Sequence, residues 1–417
     1  KKLRFSTWYW LNSIGKENWE QDFKVISQTG FTDLILCWGL DSAAVLSQQA
    51  NTKTALDLCA RHSLKAYLFI WHPVHNSLPR KTEFQQVDNR GNRLFTFNLF
   101  HREWRETQWK EYLQQIATAY KSHPAFAGYL FDDTFGIGPV GSLNGDKSAT
   151  RGSFVSYSPY DIAQFQKWLR RKYKSLSHLE KSWQTGFKNW EKIEPPREII
   201  ANQEIRWNDW CEARLHWLRE WSHDTIHFIR AIDKSSAHEI YLEDGEYILG
   251  RERKVSDSSR PITMKDILGL DFGSVASDFD AAGTYPAFRW DAPNALDNAL
   301  KVTRRILGEL RGVISHNKKI IYTFWAANAA LNVPGKKVPS AEQIIAVSKA
   351  ALEMGVKHID YYGFRIGDWR VDDKEWKIFR PKNDLNYPVT KPLTDRFLCD
   401  RPDVLESLKK FFANLSN

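Results

Sequence analysis

The chain alternates short β-type apolar runs with longer amphipathic segments almost from end to end. The short runs are rich in β-branched and aromatic residues, which predicts eight strands, at 3–10, 32–38, 65–72, 126–133, 239–244, 273–279, 319–326 and 358–364. The longer segments repeat apolar residues at i, i+3, i+4 and i+7, which predicts helices at 18–30, 54–63, 106–123, 294–312 and 340–355. Gly30 and Gly355 follow two of these helices, where a terminating glycine belongs, and residues 400–416 form a last helix.

Eight strand–helix alternations in this order predict an α/β fold, a (β/α)8 TIM barrel. The alternative is a doubly wound open sheet, which is disfavoured because no GxGxxG or phosphate-binding loop follows any strand. The stretch from about 134 to 235 is long, helical and rich in Trp. We interpret it as a helical insertion after the fourth strand of a single barrel domain that spans 1–417.

Composition narrows the possible functions. The 417 residues include 18 Trp, 15 Tyr and 24 Phe, and flat aromatic faces are good platforms for sugar rings or bases. The formal net charge of +9 favours anionic partners, but no Lys- or Arg-rich run of the nucleic-acid type occurs, so nucleic acid is not expected as a partner.

The four cysteines are far apart without CxxC spacing, which argues against a disulfide scaffold and a structural zinc site. No apolar run is long enough to cross a membrane, so no membrane association is expected. The sequence begins on Lys1 rather than Met, which suggests that a leader has been removed and favours a secreted or periplasmic protein. The oligomeric state cannot be read from these features.

Chemistry in a (β/α)8 barrel lies at the carboxyl ends of the strands. In this chain those ends carry carboxylates and aromatic rings, without a Ser or Cys nucleophile motif, HExxH or a nucleotide loop, so no cofactor is expected. Carboxylates without cofactor machinery are what glycosidic bond hydrolysis requires, since one carboxyl group donates a proton and another attacks or activates water.

Two acidic clusters stand out at strand ends. GYLFDD ends in Asp132 and Asp133, and YLEDGEY contributes Glu243 and Glu246 beside Asp244. A pair of aspartates can also simply cap a turn, but an acid facing the barrel axis needs a partner or a catalytic role. We therefore predict Asp132 or Asp133 as the nucleophile and Glu243 or Glu246 as the acid/base.

The remaining candidates at strand ends are predicted to bind substrate: Trp8, Trp38, His72, His75, Asp278, Trp325, Tyr362, Arg365 and Trp369. His72 and His75 could suggest a metal, but no third ligand has matching spacing, so hydrogen bonding to the substrate is the preferred interpretation and no metal is predicted.

The segment YSPYDIAQFQKWLRRKYKSLSHLEKSWQTGF and the following NWEKIEPP resemble the region after strand four in glycoside hydrolase family 42, the β-galactosidases. The shared pattern falls on aromatic and leucine positions such as Tyr157, Phe165, Trp168, Tyr173 and Trp183. The long segment WNDWCEARLHWLREWSHDTIHFIRAID likewise resembles the helix before strand five in that family. The resemblance implies a (β/α)8 barrel and glycoside hydrolysis.

The catalytic positions depart from that family. Its Asp-Asn-Glu pattern at the end of strand four falls on Asp132, Asp133 and Thr134, and a threonine cannot replace the glutamate acid/base. The family's nucleophile, a glutamate at the end of strand seven, has no counterpart in KIIYTFWAANAALN. Either the acids have moved to strands four and five, which we favour, or the barrel binds glycans without cleaving them. An aspartate nucleophile after an aromatic fourth strand also resembles α-L-fucosidase-type barrels.

The loops expected at the barrel mouth are rich in cations. They include arginines and lysines at 80–105, 251–254 and 365–382, interleaved with Trp369 and Trp376. One guanidinium group can bind two oxygens of a sulfate or carboxylate at the same time, and indoles pack on sugar faces. These features favour an endo-acting, retaining hydrolase of a sulfated polysaccharide such as fucan, similar to the endo-fucanases of family 168. Solvated loop charges, a glycosidase of neutral galactosides and a nucleic-acid-binding protein are the alternatives.

Overall fold

The structure is a computed structural model that describes residues 3–11, 15–38, 44–71, 82–132, 155–198, 204–243, 272–286, 288, 290, 292–326, 338–365 and 397–416. All statements below concern these residues.

Eight parallel strands close into a barrel, which confirms the predicted fold class. In the order in which they follow one another along the chain, the barrel strands are β1 (Arg4–Trp10), β2 (Asp33–Cys37), β3 (Lys65–Trp71), β6 (Phe126–Asp132), β7 (Glu239–Glu243), β8 (Ala281–Thr284), β9 (Lys319–Trp325) and β10 (His358–Arg365). β10 pairs with β1 and thereby closes the ring. The remaining two strands, β4 (Gln85–Val87) and β5 (Arg93–Phe97), form an antiparallel hairpin after β3.

The helices lie around this barrel. They are α1 (Trp19–Thr29), α2 (Ala44–Ser47), α3 (Gln49–Arg61), α4 (Arg102–Trp104), α5 (Lys110–Tyr120), α6 (Pro159–Tyr173), α7 (Leu176–Trp183), α8 (Glu204–Ile232), α9 (Phe272–Ala276), α10 (Ala295–Val313), α11 (Ala341–Glu353) and α12 (Pro402–Ser416), with a π-helical turn Arg105–Trp109 joining α4 to α5. Gly30 has a φ of 102° and Gly355 a φ of 81°, a left-handed conformation that suits glycine as a helix terminator. Within the described part of the chain, none of the helices has the length and hydropathy of a membrane span.

The sequence prediction was wrong for the sixth barrel strand. Residues 273–279 were expected to form it, but Phe272–Ala276 is the short helix α9 and the strand β8 is Ala281–Thr284. The apolar residues Phe272, Val275 and Ala276 are buried at helical spacing, whereas β8 is the small-residue sequence AAGT, which has little strand signal of its own.

Among the described residues between β6 and β7 there are three α-helices, α6, α7 and α8. α6 begins with a capping box, in which the Ser158 side chain accepts from the backbone N–H of Asp161 and the Asp161 side chain accepts from that of Ser158. Asp209 on α8 joins the three helices, because it accepts hydrogen bonds from Trp183 Nε1 (2.7 Å), Tyr173 Oη (2.7 Å) and Lys172 Nζ (2.8 Å). The residues that carry the sequence resemblance therefore pack the scaffold.

The apolar core has two layers. An inner cluster fills the barrel axis and includes Trp8, Phe69, Leu130 and Tyr241. A larger outer cluster lies between the barrel and the helices. The tryptophans belong largely to this outer layer, since the fully buried ones include Trp19, Trp104, Trp109, Trp207, Trp210 and Trp221. The high Trp content thus reflects core packing to a large extent, rather than sugar platforms.

A polar layer lies at the amino-terminal end of the barrel axis. Arg4 donates to Asp33 through Nε (3.0 Å) and Nη2 (2.5 Å) and to Glu239 through Nη1 (2.7 Å). The hydroxyl groups of Tyr67 (2.6 Å) and Tyr241 (2.8 Å) also accept from this guanidinium group. Four strands are therefore tied together through one cation.

Candidate active site

The carboxyl ends of β6 and β7 bring two predicted acids together. Asp132 is the last residue of β6 and Glu243 the last residue of β7, and they are register partners in adjacent parallel strands. The Glu243 side chain is fully buried. Register partners in a parallel sheet lie about 4.8 Å apart across the strands. The two acidic positions are therefore neighbours at the end of the barrel where chemistry is expected.

Glu243 belongs to a buried hydrogen-bonded cluster inside the barrel that includes residues of β9 and β10. The Thr323 hydroxyl on β9 contacts Glu243 Oε1 and lies 3.2 Å from Oδ2 of Asp360 on β10. Thr323 and Asp360 are also buried. One hydroxyl group thus contacts carboxyl groups from β7 and β10, which are three strands apart around the barrel.

Asp360 accepts further hydrogen bonds from β1. Ser6 Oγ donates to Asp360 Oδ1 at 2.6 Å, and Trp8 Nε1 donates to Asp360 Oδ2. Ser6 Oγ also lies 2.8 Å from His358 Nε2. Burial raises the pKa of Asp360 to about 7, because loss of hydration outweighs the donors that favour the ionised form. Burial likewise lowers the pKa of His358 well below its usual value, so that this imidazole is neutral.

The Thr323 bridge has a consequence for protonation. A hydroxyl group carries one proton and can donate it to only one of two acceptors. The second carboxyl contact is therefore a hydrogen bond only if that carboxyl brings its own proton. Thr323 thus places Glu243 and Asp360 within reach of a single hydroxyl proton.

Aromatic side chains lie on one side of Glu243 and Asp360, and a glycine lies on the other. Trp8 packs edge-to-face on Phe69 (centroids 4.9 Å apart) and on Tyr362 (5.3 Å). On the other side Gly283 of β8 is the register partner of Glu243. A Cβ atom at position 283 would lie 3.2 Å from Glu243 Cγ, so glycine is what lets the glutamate side chain lie there.

Three predicted binding residues lie away from this cluster. The Trp38 indole donates to Thr52 Oγ1 of α3 at 3.0 Å and belongs to the outer core layer. Arg365 forms a two-pronged ion pair with Asp22 of α1, at 2.7 and 2.8 Å. Asp278 precedes β8 and therefore lies at the amino-terminal end of that strand, opposite to the expected mouth. The sequence analysis placed Asp278 at the end of a strand because it predicted a strand at 273–279, which the structure does not have.

The remaining candidates divide into two groups. Trp8 and Tyr362 face the barrel axis beside Asp360, where substrate binding was predicted. Asp132 and Trp325 end their strands, and their side chains are not described. Asp133, Glu246, His72, His75 and Trp369 lie outside the described residues.

Asp360 and Thr323 were missed by the sequence analysis. Strand alternation was the signal that could have found Asp360, because His358, Asp360 and Tyr362 in HIDYYGF occupy alternate positions and share one face. The intervening Tyr361 faces outward, where its hydroxyl lies 2.9 Å from Ser348 Oγ of α11. Thr323 gives no such signal, since threonine is common in strands.

The raised pKa of Asp360 predicts a pH dependence of stability. The pKa of Asp360 is raised in the folded state, so the folded protein retains a proton that the unfolded chain loses near pH 4. The resulting stabilisation is complete below about pH 4 and is lost as pH rises to about 7, by at most about 1.4 kcal/mol per pH unit.

We expect this decline to be shallower in Asp360→Asn, measured by urea unfolding at intervals from pH 4 to 8. The quantity compared is the slope of the unfolding free energy against pH in each protein. A loss of stability that is the same at every pH does not change this slope. Equal slopes in the two proteins would contradict the assigned titration.

Comparisons with known proteins agree with this architecture. The sequence model of the β-galactosidase family, glycoside hydrolase family 42, matches residues 71–235. The comparison with curated proteins gives no match.

Among solved structures, the chain is similar to a β-galactosidase from Rahnella sp. R3 (TM-score 0.70, 14% identity, 100% of this chain and 56% of that one). It is also similar to a β-galactosidase from the psychrophilic Marinomonas ef1 (TM-score 0.67, 16% identity, 87% and 54%) and to the catalytic domain of a β-amylase from Paenibacillus polymyxa (0.61, 13%, 86% and 91%). The chain thus spans about half the length of these two β-galactosidases.

Fold and family match together define the class of protein: a (β/α)8 barrel with a scaffold of the glycoside hydrolase type. Over residues 71–235 that scaffold resembles the β-galactosidases of family 42. The likeness to fucan hydrolases receives no support from these comparisons.

Proposed function

We propose that this protein is a retaining glycoside hydrolase in which Glu243 is the acid/base and Asp132 or Asp133 the nucleophile. The observation that carries the proposal is the register pairing of Asp132 with the buried Glu243 at the carboxyl end of the barrel. A retaining mechanism needs two carboxyl groups about 5–5.5 Å apart, and side chains that leave backbones about 4.8 Å apart can reach that spacing. Glu246 remains the second candidate for the acid/base.

The burial of Glu243 supports this residue as the proton donor, because loss of hydration disfavours the ionised form of a carboxyl group. A buried carboxyl group that remains protonated near neutral pH is what a general acid requires.

For the substrate we propose an anionic, sulfated polysaccharide such as fucan, cleaved within the chain. The net charge of +9 supports this choice. Among the described residues of the cation-rich loop after β3, Arg90, Arg93 and Arg102 are exposed, whereas Arg105 is buried and pairs with Asp224 at 3.5 Å. Arg365 pairs with Asp22 and does not add to this surface. A polysaccharide substrate also favours a secreted or periplasmic location.

One observation favours a second function, glycan binding without cleavage. No carboxylate occurs between Lys319 and Ala326, where the family 42 resemblance would place the nucleophile. If the acids of β6 and β7 have not replaced it, the barrel retains sugar contacts alone. The same departure argues against hydrolysis of neutral galactosides by the family's own route.

The test is incubation of the full chain with a sulfated fucan, the same fucan after chemical desulfation, and a neutral galactan, followed by measurement of new reducing ends and product lengths. We expect new reducing ends from the sulfated polymer and few from its desulfated form. Cleavage of the galactan alone would overturn the substrate proposal, and binding of any polymer without cleavage by wild-type protein would favour the glycan-binding barrel.

A further inference from the structure

Two histidines on the outer surface of the barrel face a single aspartate. His223 and His227 lie one turn apart on α8, with ring centroids 3.9 Å apart, and both are exposed. Asp278 lies in the turn between α9 and β8, with its Oδ1 3.5 Å from His223 Nδ1. One donor atom from each of the three residues lies within 4.8 Å of the others.

The backbone that presents these side chains is held on both sides. α9 packs against α8, and the Arg219 guanidinium donates to Ser274 Oγ. Further along α8, Arg230 pairs with Asp280. Ser222 Oγ donates to the carbonyl oxygen of Val275 at 3.0 Å. His223 and His227 lie between these contacts, which hold the backbone of α8 against the segment that carries Asp278.

We propose that His223, His227 and Asp278 form a surface site for a divalent transition-metal ion, with Zn²⁺ as the expected ion. Two imidazoles and one carboxylate are a donor set that zinc accepts, whereas Mg²⁺ and Ca²⁺ prefer sites built from oxygen alone. Zinc binds nitrogen and oxygen donors at about 2.0–2.2 Å, so tetrahedral ligands lie about 3.3–3.6 Å apart. Small rotations of the exposed imidazoles bring the donors from their present separation to that spacing.

A neighbouring hydroxyl group can orient the Asp278 carboxylate. Ser222 Oγ lies 3.4 Å from Asp278 Oδ2, the oxygen that does not face His223. Such outer contacts orient ligating carboxylates in metal sites. Three protein ligands leave a fourth position for water. The bound ion would join α8 to the segment that leads into β8, the strand that carries Gly283.

The proposal is tested by equilibrium dialysis of the full, tag-free chain against Zn²⁺, using wild type, His227→Ala and Asp278→Asn. His216→Ala is the matched control, since His216 is an exposed histidine on the same helix and pairs with Glu220 at 3.4 Å. We expect one ion per chain in wild type and His216→Ala, and affinity at least about tenfold weaker in the other two variants.

Hydrogen exchange in α9 and the following turn provides the second readout. Zn²⁺ is expected to slow exchange there in wild type and in His216→Ala, but not in His227→Ala. Zinc that binds equally to all four proteins would overturn the proposal, as would the absence of zinc binding by the wild type. Neither readout depends on hydrolytic activity, so the result is separate from the proposed function.

Discussion

Glu243→Gln is expected to lower the rate of glycan hydrolysis about 10²–10⁴-fold, the range that general acid–base catalysis contributes. Glutamine retains the shape of glutamate and can hydrogen-bond to Thr323, but it cannot donate a proton to a leaving group. The measurement is kcat with the best polysaccharide substrate, together with the affinity of the variant for that substrate. Retained affinity with lost turnover would separate chemistry from binding.

Asp161→Asn is the matched control for this prediction. Asp161 is also a fully buried carboxyl whose pKa is raised by burial, but it caps α6 and lies outside the barrel axis. Its loss is expected to reduce stability, with kcat per folded molecule unchanged. Glu243→Gln protein that retains wild-type turnover would refute the assignment of Glu243 as the acid/base and shift it to Glu246.

Arg4→Met is expected to reduce the free energy of unfolding by about 3–5 kcal/mol, the usual cost of removing one partner from a buried ion pair. Arg4 neutralises two acids from different strands, Asp33 and Glu239, which are largely shielded from water. Without the guanidinium group the buried Asp33 carboxylate loses its cation in a barrel interior that hydrates it poorly, whereas Glu239 retains its ion pair with Lys319. Urea unfolding monitored by tryptophan fluorescence measures the change as a lower midpoint at constant m-value.

The control for this variant is Arg304→Met. Arg304 pairs with Glu353 at 3.4 Å, but both side chains are more than half exposed, so its loss is expected to cost about 0–1 kcal/mol. Equal effects of the two substitutions would show that the polar layer at the amino-terminal end of the barrel does not contribute to stability in this way.

The barrel was predictable from sequence because its strands carry their own signal. Runs such as those of β1, β3 and β9 contain β-branched and aromatic residues that are buried on both sides, as parallel strands usually are. β8 failed because Ala281, Ala282 and Gly283 have no such preference, and its pairing with β7 and β9 defines it as a strand. Tertiary context overrode local propensity there.

The candidate site was only partly predictable, for a different physical reason. Proximity to a strand end indicates the correct end of the barrel but not which way a side chain faces. Arg365 ends β10, yet its charge is neutralised by Asp22, 343 residues earlier in the chain. Asp360 lies within its strand and was overlooked, although only the pairing of β10 with β1 and β9 brings Ser6, Trp8 and Thr323 to its oxygens.

Gly283, the register partner of Glu243, limits which substitutions this protein tolerates at position 283. Any side chain at position 283 would press on Cβ and Cγ of the glutamate and on the carbonyl oxygen of Ile321, so these neighbours would have to shift by a few tenths of an ångström. The carboxyl separations that retention and inversion require differ by about 1 Å or more. A substitution here would therefore disturb the packing of Glu243 without exchanging one stereochemical outcome for the other.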